Sequence, residues 1–101
     1  MIVRIWHGRT KTSDAEAYRE FVFKTGITDY QAVKGNLGAQ LWQRQEAEIT
    51  HIWTISWWES FESIKAFAGN DIEKAKYYEE DKDYLLEFEP SVMHCEAYDF
   101  R

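Results

Sequence analysis

The chain opens on a mostly apolar run broken by single polar residues, Ile-Val-Arg-Ile-Trp-His-Gly at residues 2–8. Its richness in Ile, Val and Trp predicts a first strand, closed by Gly8. The pattern then changes. Ser13-Asp14-Ala15-Glu16 has the form of a capping box and opens a helix. Ala15, Tyr18, Phe21 and Val22 give that helix an apolar stripe, which fades near Gly26. Lys34-Gly35-Asn36-Leu37-Gly38 is a turn-rich connector. Residues 39–46 and 49–58 then predict two further strands, joined by the polar turn Glu46-Ala47-Glu48. Ser60 is placed to cap a second helix whose inner face is Phe61, Ile64, Phe67 and Ala68.

Gly69-Asn70 ends the second helix. Residues 71–89 are charged but carry Tyr77, Tyr78, Tyr84, Leu85 and Phe88, and short helical turns are expected there until Pro90 stops them. Residues 92–99 predict a last strand. The order βαββαβ is the ferredoxin-like α+β plan, with a four-stranded antiparallel sheet ordered 4-1-3-2 and both helices on one face.

Parity along the strands carries the argument further. Trp53, Ile55 and Trp57 point to one face of the third strand, and Ile52 and Trp58 to the other. Ile2 and Trp6 oppose Val3 and Ile5 in the first strand. Both faces of the sheet are therefore apolar, and two helices cover only one. A second copy of the sheet is the expected cover for the other, giving a twofold homodimer that closes as an α+β barrel. The alternative is that residues 71–89 fold across it.

The length of 101 residues suits a single domain, taken as 1–101. A net charge of -6 and a pI of about 5.0 argue against nucleic acid or an anionic membrane as partner. No apolar run approaches membrane-spanning length. The first residues are too short and too interrupted by polar groups for a signal peptide. Cys95 is the sole cysteine, reads as a small buried hydrophobe and excludes an intrachain disulfide, so a cytoplasmic location is expected. Aromatic residues reach 17%, suited to a core, an interface or an apolar ligand site.

Arg4-Ile5-Trp6, Trp57-Trp58-Glu59-Ser60, Phe67-Ala68-Gly69-Asn70-Asp71 and Pro90-Ser91-Val92-Met93-His94 together resemble the antibiotic-biosynthesis-monooxygenase-type family of dimeric α+β barrels, over essentially the whole chain. The family includes cofactor-independent oxygenases of phenols and quinols, haem-degrading oxygenases and proteins of no known role. The resemblance therefore implies a fold and a pocket, not one reaction. The haem-degrading branch uses an Asn near the end of strand one, a Trp in helix two and a His after it. The matching places here hold His7, Phe67 and Tyr77, so haem breakdown is not expected, and no cofactor is.

His7 is the first candidate for chemistry. It shares a face with Val3 and Ile5, and by the resemblance that face lies under the helices beside the pocket. An imidazole there can take a proton near neutral pH; the plainer alternative is a strand-end histidine bonded to a loop carbonyl. His51 and His94 start the strands that flank strand one, so three histidines can share one sheet edge. No ligand spacing supports a metal, and none is expected. Tyr77 and Tyr78 are candidates to orient a substrate oxygen. Trp58, Phe61 and Phe67 are candidate pocket walls, with His94 beside them, although plain core packing is the simpler account of the rings. The run Glu79, Glu80, Asp81 and Asp83 reads as solvated surface.

The reaction expected from this set is a cofactor-independent monooxygenation of a small aromatic or quinol-type molecule. His7, helped by Tyr77 or Tyr78, removes a proton; the anion passes an electron to dioxygen, and recombination gives a quinone. Two alternatives stand beside it. One is a cyclase, lyase or isomerase on the same scaffold. The other is a non-catalytic dimeric ligand-binding or stress-response module. A cavity reaching His7 favours catalysis, and a solid core favours the last.

Overall fold

The computed structural model describes residues 1–100. Four strands, β1 (Ile2–Lys11), β2 (Asn36–Glu46), β3 (Ile49–Trp58) and β4 (Met93–Glu96), form one antiparallel sheet in the order β2-β3-β1-β4. This is the expected ferredoxin-like order. Helices α1 (Ala15–Val22), α2 (Thr28–Gln31) and α3 (Phe61–Ala68) accompany it.

The register sets Ile5 opposite Ile55 and Trp6 opposite Thr54. One face carries Ile2, Arg4, Trp6, Ile52, Thr54, Ser56 and Trp58, all buried. Tyr18, Val22, Ile27, Tyr30 and Ile64 complete that core from the helical layer. Tyr30 meets Trp58 edge-on at 6.0 Å and lies 4.6 Å from the Phe67 ring. Full burial of an aliphatic such as Ile64 contributes about 1.5–3 kcal/mol, so this face supplies most of the fold's drive.

Helix α3 begins as the sequence predicts, because the Ser60 side chain accepts from the Ser63 backbone N–H at 3.3 Å. The capping box at Ser13 does not form. A 3₁₀ turn, Thr12–Asp14, precedes α1, and Asp14 makes no side-chain cap. The Thr12 hydroxyl instead donates to the Ala47 carbonyl at 3.0 Å, tying the helix entry to the β2–β3 turn. The helix also runs past Gly26. A π-turn, Phe23–Ile27, joins α1 to α2, with the Thr25 hydroxyl on the Phe21 carbonyl and the Thr28 hydroxyl on the Phe23 carbonyl, both at 2.8 Å.

Residues 71–89 form a strap with one 3₁₀ turn, Glu79–Asp83. Tyr84 lies 5.3 Å from Tyr18 and 5.8 Å from Phe21, ring to ring, so the strap lies on the helical side. Because β4 pairs only with Ile2–Ile5, the outer half of β1 would otherwise be a bare edge. The Leu86 N–H closes it by donating to the Arg9 carbonyl at 2.9 Å. The strap therefore does not cross the second face. Val3, Ile5, Trp53 and Trp57 lie there, with Trp42 50% and Met93 55% exposed. Cys95 pairs with Val3 and is exposed on this same face, not buried as expected.

Candidate cleft between sheet and helices

Sheet and helices part on one side to leave a half-open cleft. About 40 Å³ is available there to the centre of a water-sized sphere. That is room for a few waters, so a larger ligand would have to extend through the open side. Arg4 and Trp6 of β1 and Thr54 of β3 form its floor. Tyr18, Tyr30 and Phe67 wall it from the helices, and Lys76, Tyr77, Tyr78 and Asp81 of the strap close the far side.

The polar groups are tied together. Trp6 Nε1–H donates to the Tyr77 oxygen at 3.2 Å, and the Tyr77 hydroxyl donates to the Glu89 carbonyl at 2.6 Å. The Tyr18 hydroxyl donates to Asp81 Oδ1 at 2.9 Å, and the Tyr78 N–H donates to Oδ2 at 2.6 Å. The Tyr78 hydroxyl donates to the Asp29 carboxylate. Burial is the main force on all three tyrosines and holds their hydroxyls protonated well above neutral pH. Burial also pushes the Asp81 carboxyl up, against the pull of its two donors. A raised carboxyl is a better proton acceptor near neutral pH.

Arg4 is 2% exposed. It donates to the Ile72 carbonyl at 2.5 Å and the Lys74 carbonyl at 3.4 Å, which pins the strap to the sheet. It also donates to His94 Nε2 at 3.0 Å. An arginine cannot accept, so that nitrogen is the acceptor and the His94 proton sits on Nδ1. Burial first, then the Arg4 charge, lowers the His94 pKa and keeps the ring neutral.

Of the residues singled out in sequence, Phe67, Tyr77 and Tyr78 line this cleft, and four do not. Trp58 is wholly buried in the core. Phe61 is 43% exposed and packs its edge on His94 at 6.1 Å. His94 stands behind Arg4, outside the lining. His7 requires a correction. Its strand parity puts it with Val3 and Ile5, but that is the face opposite the helices, because Arg4 and Trp6 occupy the covered one. There His7 Nδ1 meets Glu89 Oε2 at 2.5 Å, and His7 Nε2 meets His51 Nδ1 at 2.8 Å. His94 faces the helical side, so the three histidine rings do not share a face. The cavity exists, but it does not reach His7.

Among the cleft residues that the sequence reading does not single out are Arg4, Trp6, Tyr18, Tyr30, Lys76 and Asp81. Arg4 carried a signal, since it is a charge at a covered parity position between Ile2 and Trp6. Asp81 did not. It lies in the acidic run read as solvated surface, yet it is 4% exposed while Glu79 and Glu80 point outward.

A scan against protein-family models found no match, and a search of curated proteins found none either. Solved structures do match. A proposed antibiotic biosynthesis monooxygenase from Nitrosomonas europaea has a TM-score of 0.67 at 17% identity, over 96% of this chain and 98% of that one. The chain has the antibiotic-biosynthesis-monooxygenase-type fold. An Arg-to-Ser variant of MhuD with two manganese protoporphyrin IX bound per active site matches that fold too, with a TM-score of 0.61 at 19% identity over 100% and 99% of the two chains. Rv0793 from Mycobacterium tuberculosis gives 0.56 at 14% identity over 99% and 98%. At such identities the likeness is one of fold. No helix of the chain is long and apolar enough to cross a membrane, among the described residues.

Proposed function

We propose that the cleft binds a small aromatic or quinol-type molecule and that the protein oxidises it with dioxygen, without a cofactor. The observation that carries this reading is the cleft's composition: aromatic walls of Trp6, Tyr18, Tyr30 and Phe67 around a buried carboxylate, Asp81. In this reading the base is Asp81, not His7. Tyr18 passes its hydroxyl proton to Asp81 Oδ1 as it takes the proton of the substrate hydroxyl. The electron-rich anion gives one electron to dioxygen, and the two radicals join through a new C–O bond. Loss of water from the resulting peroxide leaves a carbonyl, so one dioxygen yields one quinone and one water. The protein's part is orientation and exclusion of water.

The enclosed part of the cleft is too small to swallow a whole ring, so a single-ring substrate would sit part-way in, its outer edge in the open mouth. The enclosed space is far smaller than a tetrapyrrole, which speaks against haem as substrate, whatever the MhuD neighbour holds. We also infer a homodimer formed through the second sheet face, since exposed Trp42 and Met93 continue the apolar surface of Val3, Ile5, Trp53 and Trp57. A lone cysteine and an acidic chain accord with the cytoplasm.

The test is oxygen uptake by the purified protein with a panel of single-ring quinols and hydroxyquinones. Uptake matched by quinone formation, and abolished by Asp81→Asn, is the expected result. No uptake above the protein-free blank with any compound overturns it. A second reading has its own observation: the three tyrosine hydroxyls are already committed to Asp29, Asp81 and the Glu89 carbonyl, which suits a binding module. Ligand binding without oxygen uptake or turnover selects that module, and turnover without oxygen selects a cyclase, lyase or isomerase.

A further inference from the structure

The cleft holds two cations, Arg4 and Lys76, that no carboxylate contacts directly, although the carboxyl of Asp81 lines the same cleft. Arg4 is 2% exposed, and its guanidinium meets two backbone carbonyls and one neutral imidazole. None of these is an anion. Its Nε–H is buried with no acceptor, and so is the His94 Nδ1–H behind it. Burying a cation is costly unless it is paired, and burial does pull the Arg4 guanidinium below its ordinary pKa. The guanidinium nonetheless stays charged. Lys76 adds to this charge. Its ammonium lies 4.4 Å from the Phe67 ring centre, and the Arg4 Cζ lies 5.7 Å from the same centre. Neither cation forms an ion pair among the described residues. The acids nearest the cleft are spoken for: Asp81 accepts from Tyr18 and Tyr78, and Asp29 accepts from Tyr78.

Two unpaired cations on one aromatic ring, in a chain of net charge -6, are not a general feature of its surface. We propose that the cleft selects organic anions: a planar ring whose carboxylate is held by the Lys76 ammonium within the field of the buried Arg4 guanidinium, beside Phe67. Low dielectric in the cleft strengthens that attraction, and the aromatic walls take the ring. The inference rests on the cleft being the ligand site, and it narrows the substrate class from neutral quinols to acidic aromatics.

Salicylate and salicylamide test it, because they share a shape and differ in charge at slightly acid pH. Binding is read by calorimetry and by quenching of tryptophan emission, since Trp6 is in the wall. Salicylate is expected to bind at least about tenfold more tightly than salicylamide, and alone to raise the melting temperature. Lys76→Gln, an exposed position, should cut the salicylate affinity about threefold to tenfold and leave salicylamide unchanged. Arg4→Gln should remove the preference altogether, with far-UV circular dichroism reporting whether it folds; Lys76→Gln keeps the test decisive if it does not. Equal affinity for both ligands, or a preference that survives Lys76→Gln intact, overturns the anion assignment and leaves the cleft as a site. Binding of neither ligand overturns both.

Discussion

The Tyr18 hydroxyl donates a 2.9 Å hydrogen bond to Asp81 Oδ1, joining α1 to the strap at a point where both side chains are buried. Asp81 also accepts from the Tyr78 N–H, so it organises the strap as well as the cleft. Replacing Asp81 by Ala strands two donors, the buried Tyr18 hydroxyl and the part-buried Tyr78 N–H. It should cost about 2–4 kcal/mol of stability, against about 1–2 kcal/mol for Tyr18→Phe, which removes one bond. Urea denaturation of the two variants measures the difference. Equal small losses would show that the strap is held by its other contacts.

The same carboxyl predicts a dependence on pH. Burial raises its folded-state pKa above the ordinary aspartate value, so the folded protein binds that proton more tightly than the unfolded chain. The contribution is fully present below the ordinary aspartate pKa and is lost as pH rises through the raised one. Wild type should therefore gain stability relative to Asp81→Asn as pH falls from neutral toward that range. Parallel pH profiles for the two proteins would contradict this.

The apolar second face predicts assembly. Light scattering should give a mass of about twice the 12.1 kDa of one chain. Met93→Lys, at a site 55% exposed in the single chain, should shift the protein toward one subunit without unfolding it. A wild-type mass of one chain at micromolar concentration sinks the proposal.

His7 lies across the sheet from the cleft, so His7→Ala separates the two faces. Turnover or ligand binding in the cleft should stay within about twofold, because no substrate atom there reaches the imidazole. The variant loses its bond to Glu89, a part-exposed pair worth about 1 kcal/mol or less. A loss of cleft activity far beyond that would return the base to His7.

Strand parity made most of the fold legible. Ile52 and Trp58 against Trp53, Ile55 and Trp57 gave two apolar faces, and Ser60 marked the start of α3. Parity says which residues share a face, but not which face the helices choose. Parity alone therefore groups His7 with Val3 and Ile5 without revealing that their face is the one opposite the helices. The decision rests on long-range contacts, Tyr18, Tyr30 and Ile64 onto Ile2, Trp6 and Trp58, that no local pattern encodes. Asp81 was hidden for a related reason. An acidic run looks uniform in sequence, and only the 3₁₀ turn Glu79–Asp83 rotates one member of it inward.

Gly8 shows how tightly the cleft floor is set. A Cβ at this position would fall 2.4 Å from the Trp6 ring and 3.1 Å from Leu85. Gly8→Ala should push the indole out of place at a cost of about 1–3 kcal/mol. It should also break the Trp6–Tyr77 bond, seen as altered near-ultraviolet circular dichroism and weaker ligand binding. An unchanged spectrum would mean that the ring has room to turn.

The π-turn has the opposite character. Gly26 borders the cleft, and a Cβ built there meets nothing within 4 Å. Position 26 is thus a doorway with no furniture behind it. Side chains of graded bulk can be installed at that threshold to tune which guests are admitted, while the framework that recognises them stays untouched.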